Sequence, residues 1–218
     1  MTYFNKPFNT EEQPIEKDRY RLLWAALCPY AHRAVVARKL LGLDNVISLG
    51  TLDYHRGEDG WRFSLDPDGV DPVLKKPTIK SVYNYSEPNY EGPYSVPALV
   101  DLKTEKIVRK ESAEILHEFA TVFKPLHKEG AIDLYPESLA KQIDEWNEKL
   151  AVAVNDGVYG MGFAKTQDEY DLAFNRFFDT LDEVEERLSN QRYINGNSIT
   201  ETDIRFYTTM IRFDVVYY

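Results

Sequence analysis

An apolar run that leads through a Cys-Pro pair into a helical pattern is the feature that most constrains this chain. Tyr20 to Leu27 predicts a buried strand, and Pro29 to Leu41 carries apolar residues mainly at helical spacing, with Gly42 as a stop. Val46 to Leu52 predicts a second strand. A strand, a helix and a strand at this spacing form a βαβ unit with parallel strands and a right-handed crossover.

Cys28, the only cysteine of the 218 residues, lies between the first predicted strand and the helix. Unsatisfied backbone N–H groups and the helix dipole favour a thiolate there, and ligands of open α/β sheets bind at such strand ends. The alternative is a small buried hydrophobe, which is a common role of free cysteine. Because Ala31 stands where a C-x-x-C motif has its second thiol, a mixed disulfide on Cys28 requires an external thiol for its resolution.

Charge and hydropathy exclude several classes of partner. The formal net charge of -10 argues against nucleic acid, whose binding needs clustered Lys and Arg. No run approaches the roughly 20 apolar residues of a membrane span, and the polar start does not resemble a signal peptide. We therefore expect no membrane partner and a cytoplasmic location, where an unpaired cysteine stays reduced.

Five further segments complete the predicted first half. Residues 1–18 lack an apolar period and predict an extended arm, whereas residues 53–93, rich in Gly, Pro, Asp and Tyr, predict a long irregular insertion acting as a loop or lid. Ser95 to Leu102 and Lys106 to Val108 predict a β-hairpin. Glu111 to Phe119 then begins a helix.

Long amphipathic helices dominate the second half. They are predicted from Pro136 to about residue 155, from Thr166 to Leu188, and from Thr200 to the end. The chain therefore divides into an α/β domain over residues 19–124 and an all-α domain over residues 134–218.

Five segments in this order resemble glutathionyl-hydroquinone reductases, the xi class of the glutathione transferases, which are omega-like. They are Cys28 to Arg33, Gly57 to Trp61, Ser95 to Leu99, Glu111 to Ile115 and Asn155 to Ala164. The resemblance covers about residues 18 to 218. It implies an N-terminal thioredoxin-like, glutathione-binding domain, an all-helical glutathione-transferase C-terminal domain, and a homodimer.

The resemblance also implies a reaction. Enzymes of this family reduce glutathionyl-hydroquinones to hydroquinones, with glutathione as co-substrate and no metal. By resemblance, Cys28 is the nucleophile that takes glutathione off the aromatic substrate, and a second glutathione resolves the mixed disulfide. Tyr159 matches a family tyrosine whose hydroxyl faces the substrate.

Five residues are implied to bind glutathione. Val96-Pro97 resembles the cis-proline turn whose backbone pairs with the cysteinyl part of glutathione. Glu111 and Ser112 open a helix and would hold the γ-glutamyl group, and Trp61 would lie against glutathione. The alternatives are an edge-strand proline, an ordinary helix cap and a core tryptophan.

Two departures from the family pattern favour an alternative function. Pro93-Tyr94 stands where the family usually has an Arg-Val pair whose arginine helps to hold glutathione, with Arg109 or Lys110 as candidate replacements. The chain stops at Tyr218, inside a helix that the family continues, so we expect an incomplete helical domain. The alternative is a catalytically weak glutathione-transferase-like binding or interaction module. A conventional transferase that conjugates glutathione to electrophiles is a third hypothesis.

Overall fold

A computed structural model describes residues 4–54, 56–58 and 60–217. The chain forms two compact units, the first ending at Ala131 and the second beginning at Ile132.

The first unit contains a four-stranded mixed sheet. Its strands and helices are β1 (Tyr20–Ala25), α1 (Pro29–Leu40), β2 (Ile47–Leu52), β3 (Arg56–Gly57), β4 (Gly60–Trp61), α2 (Ile79–Ser86), β5 (Ala98–Asp101), β6 (Lys106–Arg109) and α3 (Ser112–Ala120). The sheet order is β2-β1-β5-β6, with β3 and β4 as a separate two-stranded sheet. Strands β1 and β2 are parallel and β5 and β6 antiparallel, which confirms the predicted βαβ unit and hairpin.

The segment over residues 53–93 is not wholly irregular, so that expectation was wrong. It contains the short strands β3 and β4 and the helix α2, which packs against β4 and β6. The helix begins with a capping box in which Thr78 and Ser81 bond each other's backbone N–H groups at 3.1 and 3.2 Å. With only eight residues, α2 gives a weak helical signal among glycines and prolines.

Two buried ion pairs connect distant segments of the first unit. Arg21 donates twice to one Asp71 oxygen, at 2.7 and 3.0 Å, and Asp71 is fully buried. Gly50 lies against this pair, because an added Cβ would come within 2.9 Å of the Asp71 carboxylate. Arg19 forms a bidentate pair with Asp101 at 2.7 and 2.8 Å. The sheet is therefore linked by charge-assisted bonds as well as by its ladder.

The described part of the N-terminal arm packs on the first unit. Phe8 is buried and meets Tyr20 and Phe123 edge-on at centroid distances of 5.4 and 5.2 Å. The Arg109 guanidinium lies 4.8 Å from the centroid of the Phe8 ring. Phe4 contacts Tyr83 edge-on at 5.8 Å. The arm is thus anchored by aromatic packing rather than by secondary structure.

The second unit is helical. Its elements are α4 (Ala140–Leu150), a π-helical segment (Ala151–Asn155), α5 (Gly157–Gly162), α6 (Gln167–Asn190), α7 (Glu201–Met210) and a second π-helical segment (Phe213–Tyr217). Two of the predicted long helices therefore change hydrogen-bonding pattern along their length, the first after Leu150 and the last beyond Met210. Among the residues placed by the structure, no helix is long and apolar enough to cross a membrane.

A buried polar network fixes the start of α7. Thr200 and Asp203 form a capping box, with Asp203 accepting from the Thr200 N–H at 2.8 Å. Glu201 is almost fully buried and accepts hydrogen bonds from Asn147 at 2.6 Å and from Arg205 at 3.0 Å. These bonds tie α7 to α4.

Candidate functional site

Cys28 caps α1, as its place before Pro29 predicts. The Ala31 N–H donates to the Cys28 sulfur at 3.4 Å, and the thiol donates to the Val96 carbonyl at 3.5 Å. The side chain is half-buried. The Ala31 N–H stabilises the thiolate form of Cys28, whereas the Val96 carbonyl stabilises the protonated thiol. The sulfur thus contacts one group that favours the charged form and one that favours the neutral form.

Val96 and Pro97 form the turn that faces Cys28. The peptide bond between them is cis, as the resemblance implies, and both residues are buried. β5 begins directly afterwards at Ala98 and lies between β1 and β6. Because β5 is an interior strand, the edge-strand explanation of Pro97 does not hold.

Trp61 lies on β4 and belongs to the apolar cluster of the first unit. Its exposed fraction is 8%, and it shares this cluster with Val96, while Cys28 packs against the same cluster. This packing is what the core-tryptophan alternative predicts, and contact with glutathione stays a prediction. Of the segment quoted around Trp61, Asp59 lies outside the described residues.

Glu111 and Ser112 begin α3, which packs against α1. Ser112 is 8% exposed, whereas Glu111 is exposed and its carboxylate meets the Lys110 ammonium at 2.5 Å. Burial alone would lower the pKa of Lys110, but the hydrogen bond and charge of Glu111 outweigh it and raise that pKa. Any ammonium group that binds Glu111 must therefore compete with Lys110.

Arg109 does not suit the role of the missing family arginine. It is 4% exposed, and its guanidinium donates to Glu118 at 2.7 to 3.0 Å and to the carbonyls of Val108 and Phe4 at 2.9 and 3.2 Å. These bonds join β6, α3 and the N-terminal arm, and they occupy the guanidinium that would otherwise bind glutathione.

Three tyrosines support the turn before Pro97, and the sequence did not assign them a role. Tyr83 donates to the Ser95 carbonyl and Tyr90 to the Pro93 carbonyl, each at 3.1 Å. Tyr94 donates to the Asn84 side chain at 3.1 Å. The tyrosine-rich composition of this stretch was visible, but only the fold shows which carbonyls the hydroxyl groups meet.

Tyr159 lies on α5 of the second unit and is half-buried. Its hydroxyl is 3.2 Å from the Tyr217 hydroxyl, and the two rings meet edge-on at 5.6 Å. Tyr217 also lines a cavity of about 240 Å³ whose walls are largely aromatic. The other lining residues are Met161, Gly162, Tyr170, Phe174, Phe178 and Phe213.

Within residues 4–54, 56–58 and 60–217, the His, Cys, Asp and Glu side chains form no group of three or more that could hold a metal ion.

Two family models match the chain. The N-terminal domain of glutathione S-transferase matches residues 27–122, and the C-terminal domain of glutathione S-transferase matches residues 167–218. The glutathionyl-hydroquinone reductase YqjG of Escherichia coli is 41% identical over 204 residues, which are 93% of this chain and 62% of that protein. This chain therefore spans less than two thirds of that relative's length.

Solved structures agree with the family models. Glutathione transferase Xi 1 from Trametes versicolor is 38% identical with a TM-score of 0.92, over 100% of this chain and 76% of that one. Glutathione-bound YqjG from Escherichia coli gives a TM-score of 0.87 at 42% identity, over 93% of this chain and 66% of that one. The predicted fold class, a thioredoxin-like domain followed by an all-helical domain, is thereby confirmed, and the chain belongs to the xi class of the glutathione transferase family.

Proposed function

We propose that this protein reduces glutathionyl-hydroquinones by removing glutathione through Cys28. The single observation that carries the proposal is the position of the Cys28 sulfur. It caps α1, accepts from the Ala31 N–H at 3.4 Å, and lies 3.5 Å from the Val96 carbonyl beside a cis-proline. A thiolate at a helix N-terminus is an activated nucleophile.

The proposed reaction has two steps. The Cys28 thiolate attacks the glutathionyl sulfur, forming a disulfide as the bond from that sulfur to the aromatic carbon breaks. The ring carbon takes up a proton, so the hydroquinone is reduced while Cys28 is oxidised. A second glutathione, as its thiolate, then attacks the glutathionyl sulfur and releases oxidised glutathione and the Cys28 thiolate. An external thiol is required because the chain has one cysteine.

Glutathione is proposed to bind along the first unit. The Val96 backbone would pair with the cysteinyl part, next to the reacting sulfur. Ser112 and Glu111 would hold the γ-glutamyl group, supported by their place at the start of α3. Trp61 would cover one side of the ligand, supported by its contact with the apolar cluster against which Cys28 packs.

Side chains of the second unit support an aromatic substrate. The Tyr159 hydroxyl would donate to a hydroquinone oxygen. Its support is the half-buried setting of Tyr159 and the aromatic cavity lined by its hydrogen-bonding partner Tyr217. The proposal includes a cytoplasmic location, because a reducing compartment supplies glutathione and keeps Cys28 free, and a homodimer, as the family resemblance implies.

Turnover of a glutathionyl-hydroquinone by the wild type, Cys28→Ser and Tyr159→Phe tests the proposal. We expect Cys28→Ser to lower the rate to that of the uncatalysed reaction, and Tyr159→Phe to lower it by about tenfold or more. Tyr207→Phe, which removes an exposed hydroxyl of α7 away from the residues that line this cavity, serves as the control and should retain its rate. If the wild type and Cys28→Ser are equally inactive, the proposed enzymatic function is rejected and the binding-module alternative is favoured.

A further inference from the structure

The hydroxyl of Tyr83 lies behind the turn that faces Cys28. Tyr83 is fully buried on α2, and it donates to the Ser95 carbonyl at 3.1 Å, with the Ser95 hydroxyl 3.4 Å away. Burial raises the pKa of Tyr83, so the phenol stays neutral and keeps its proton for this bond.

The bond to Ser95 also determines where the Val96 N–H points. The Ser95 carbonyl and the Val96 N–H belong to one planar peptide group, in which they point in opposite directions when the bond is trans. The Val96–Pro97 bond is the cis bond of this segment, so the Ser95–Val96 bond is trans. Holding the Ser95 carbonyl toward Tyr83 therefore directs the Val96 N–H to the opposite side of the turn.

We propose that Tyr83 is a positioning residue whose hydroxyl, by holding the Ser95–Val96 peptide group, orients the Val96 backbone for glutathione beside Cys28. The proposal rests on the proposed function only in taking glutathione as the molecule that pairs with Val96. Tyr83 acts through this peptide group and has no part in the bond-making steps.

The Tyr83 ring is itself held on several sides. It stacks on Tyr90 at 4.8 Å and meets Tyr94 and Phe4 edge-on at 5.7 and 5.8 Å. This packing leaves the hydroxyl little freedom, so its direction is transmitted to the turn.

Tyr90 provides a matched control within the same cluster. It is also buried, and its hydroxyl also donates to a backbone carbonyl at 3.1 Å, but that carbonyl belongs to Pro93. Removing either hydroxyl removes a bond to a backbone carbonyl, but of these two hydroxyl groups it is the Tyr83 hydroxyl that holds the peptide group containing the Val96 N–H.

The test uses iodoacetamide labelling of Cys28 in the wild type, Tyr83→Phe and Tyr90→Phe. S-methylglutathione, which has no free thiol, is titrated as a protecting ligand. We expect the half-protecting concentration to rise about tenfold in Tyr83→Phe and less than about threefold in Tyr90→Phe. Loss of the Tyr83 bond also leaves Val96 itself less firmly held, and with it the Val96 carbonyl of the next peptide group, which accepts from the Cys28 thiol at 3.5 Å. The pH midpoint of labelling should therefore fall in Tyr83→Phe.

Wild-type protection and an unchanged labelling midpoint in Tyr83→Phe would overturn the proposal, as would equal effects in both variants. If Tyr83→Phe fails to fold, 4-fluorophenylalanine at position 83 decides, because its fluorine fills the space of the hydroxyl without donating a hydrogen bond to the Ser95 carbonyl. It should weaken protection about as much, and wild-type protection would reject the positioning role.

The outcomes separate this proposal from the proposed function. Weakened protection in Tyr83→Phe together with no turnover of a glutathionyl-hydroquinone by the wild type supports positioning and rejects the reductase. Normal turnover by the wild type together with unchanged protection in Tyr83→Phe supports the reductase and rejects the positioning role of Tyr83. If S-methylglutathione fails to protect the wild type, glutathione does not bind beside Cys28 and the positioning role is rejected.

Discussion

Buried ion pairs between distant segments hold the first unit, whereas the buried ion pair of the second unit, between Glu201 and Arg205, spans only four residues of one helix and is joined by amide and hydroxyl bonds. Arg19 pairs with Asp101, and Arg21 with Asp71, each across 50 or more residues of sequence. In the second unit, Asn147 and Arg205 both donate to the buried Glu201. Long-range pairs fix the strands that place Cys28, while the second network fixes how α7 begins.

The surfaces of the two units also differ. Among the described residues, the two most exposed large apolar side chains, Phe163 and Val215 at 70% and 81%, both lie in the second unit. In the first unit, by contrast, Tyr83, Tyr90 and Tyr94 pack together behind the turn at Val96. The geometry near the Cys28 nucleophile is therefore constrained from several directions, and substitutions there should have larger and more specific effects.

Breaking a buried pair of the first unit is expected to have the largest effect on stability. Asp71→Ala leaves Arg21 buried without its carboxylate and should lower the free energy of unfolding by about 3–5 kcal/mol. Lys39→Ala, which removes an exposed pair with Asp44, should cost less than about 1 kcal/mol. Urea denaturation followed by Trp24 and Trp61 fluorescence in a Trp146→Phe background measures both. Similar small costs would show that the buried long-range pair stabilises the first unit no more than an exposed pair does.

Alkaline pH should weaken the first unit through Tyr20. Burial, followed by the charge of Asp101, raises the pKa of Tyr20 from 10.0 to about 12, and its hydroxyl donates to the Pro14 carbonyl at 2.8 Å. The unfolded phenol ionises first, so this stabilisation is present below pH 10 and is lost as the pH rises toward 12.

We expect a loss of about 2 kcal/mol in unfolding free energy over that interval, and Tyr20→Phe should remove this loss. Tyr135→Phe is the counterpart in the second unit, where burial and then the bond to Asp144 at 2.9 Å also raise the pKa of the phenol to about 12, but this bond lies at the surface, where water screens it. That variant should flatten the pH dependence less. An equal flattening by both substitutions would contradict the account.

A smaller effect is expected from the helix cap of the second unit. Thr200→Val removes the hydroxyl that bonds Asp203 and Asn195 at 2.9 and 3.0 Å, and should cost about 1–2 kcal/mol. Thr166→Val removes the exposed cap of α6 and should cost about 0.5–1 kcal/mol. Thermal unfolding reported by Trp146 compares the two variants, and a larger cost at Thr166 would show that the buried network is not the stronger element.

The smallest effect is expected at Lys110. Lys110→Met frees the Glu111 carboxylate for the ammonium of glutathione, and should lower the KM for glutathione by less than about threefold. Lys106→Met, at an exposed position of β6, should leave that KM unchanged. A raised KM in Lys110→Met would indicate that Lys110 itself holds the ligand.

Local sequence signals were sufficient to predict the strand and the helix on either side of Cys28. The apolar run, the Cys-Pro pair and Gly42 predicted β1 and α1 within two residues, because strand, cap and stop each have a local cause. Helix α2 was missed because eight residues carry too little periodicity among turn-forming neighbours.

The supports of the candidate site required the fold. The bond from Tyr83 to Ser95 spans twelve residues of chain, and the contact between Cys28 and Val96 spans 68. No pattern of residue types encodes such distances. The family resemblance predicted the position of the cis bond. The bonds of Arg109 to Glu118 and to the Phe4 carbonyl depend on how β6, α3 and the arm pack, which the sequence alone does not show.

A single-turnover experiment tests the central claim most directly. The wild type is mixed with a glutathionyl-hydroquinone in the absence of free glutathione, and the released hydroquinone and intact protein mass are measured together. We expect one equivalent of hydroquinone and one glutathionyl group on Cys28, which added glutathione then removes. Hydroquinone release without an adduct, or an equal release by Cys28→Ser, would contradict it.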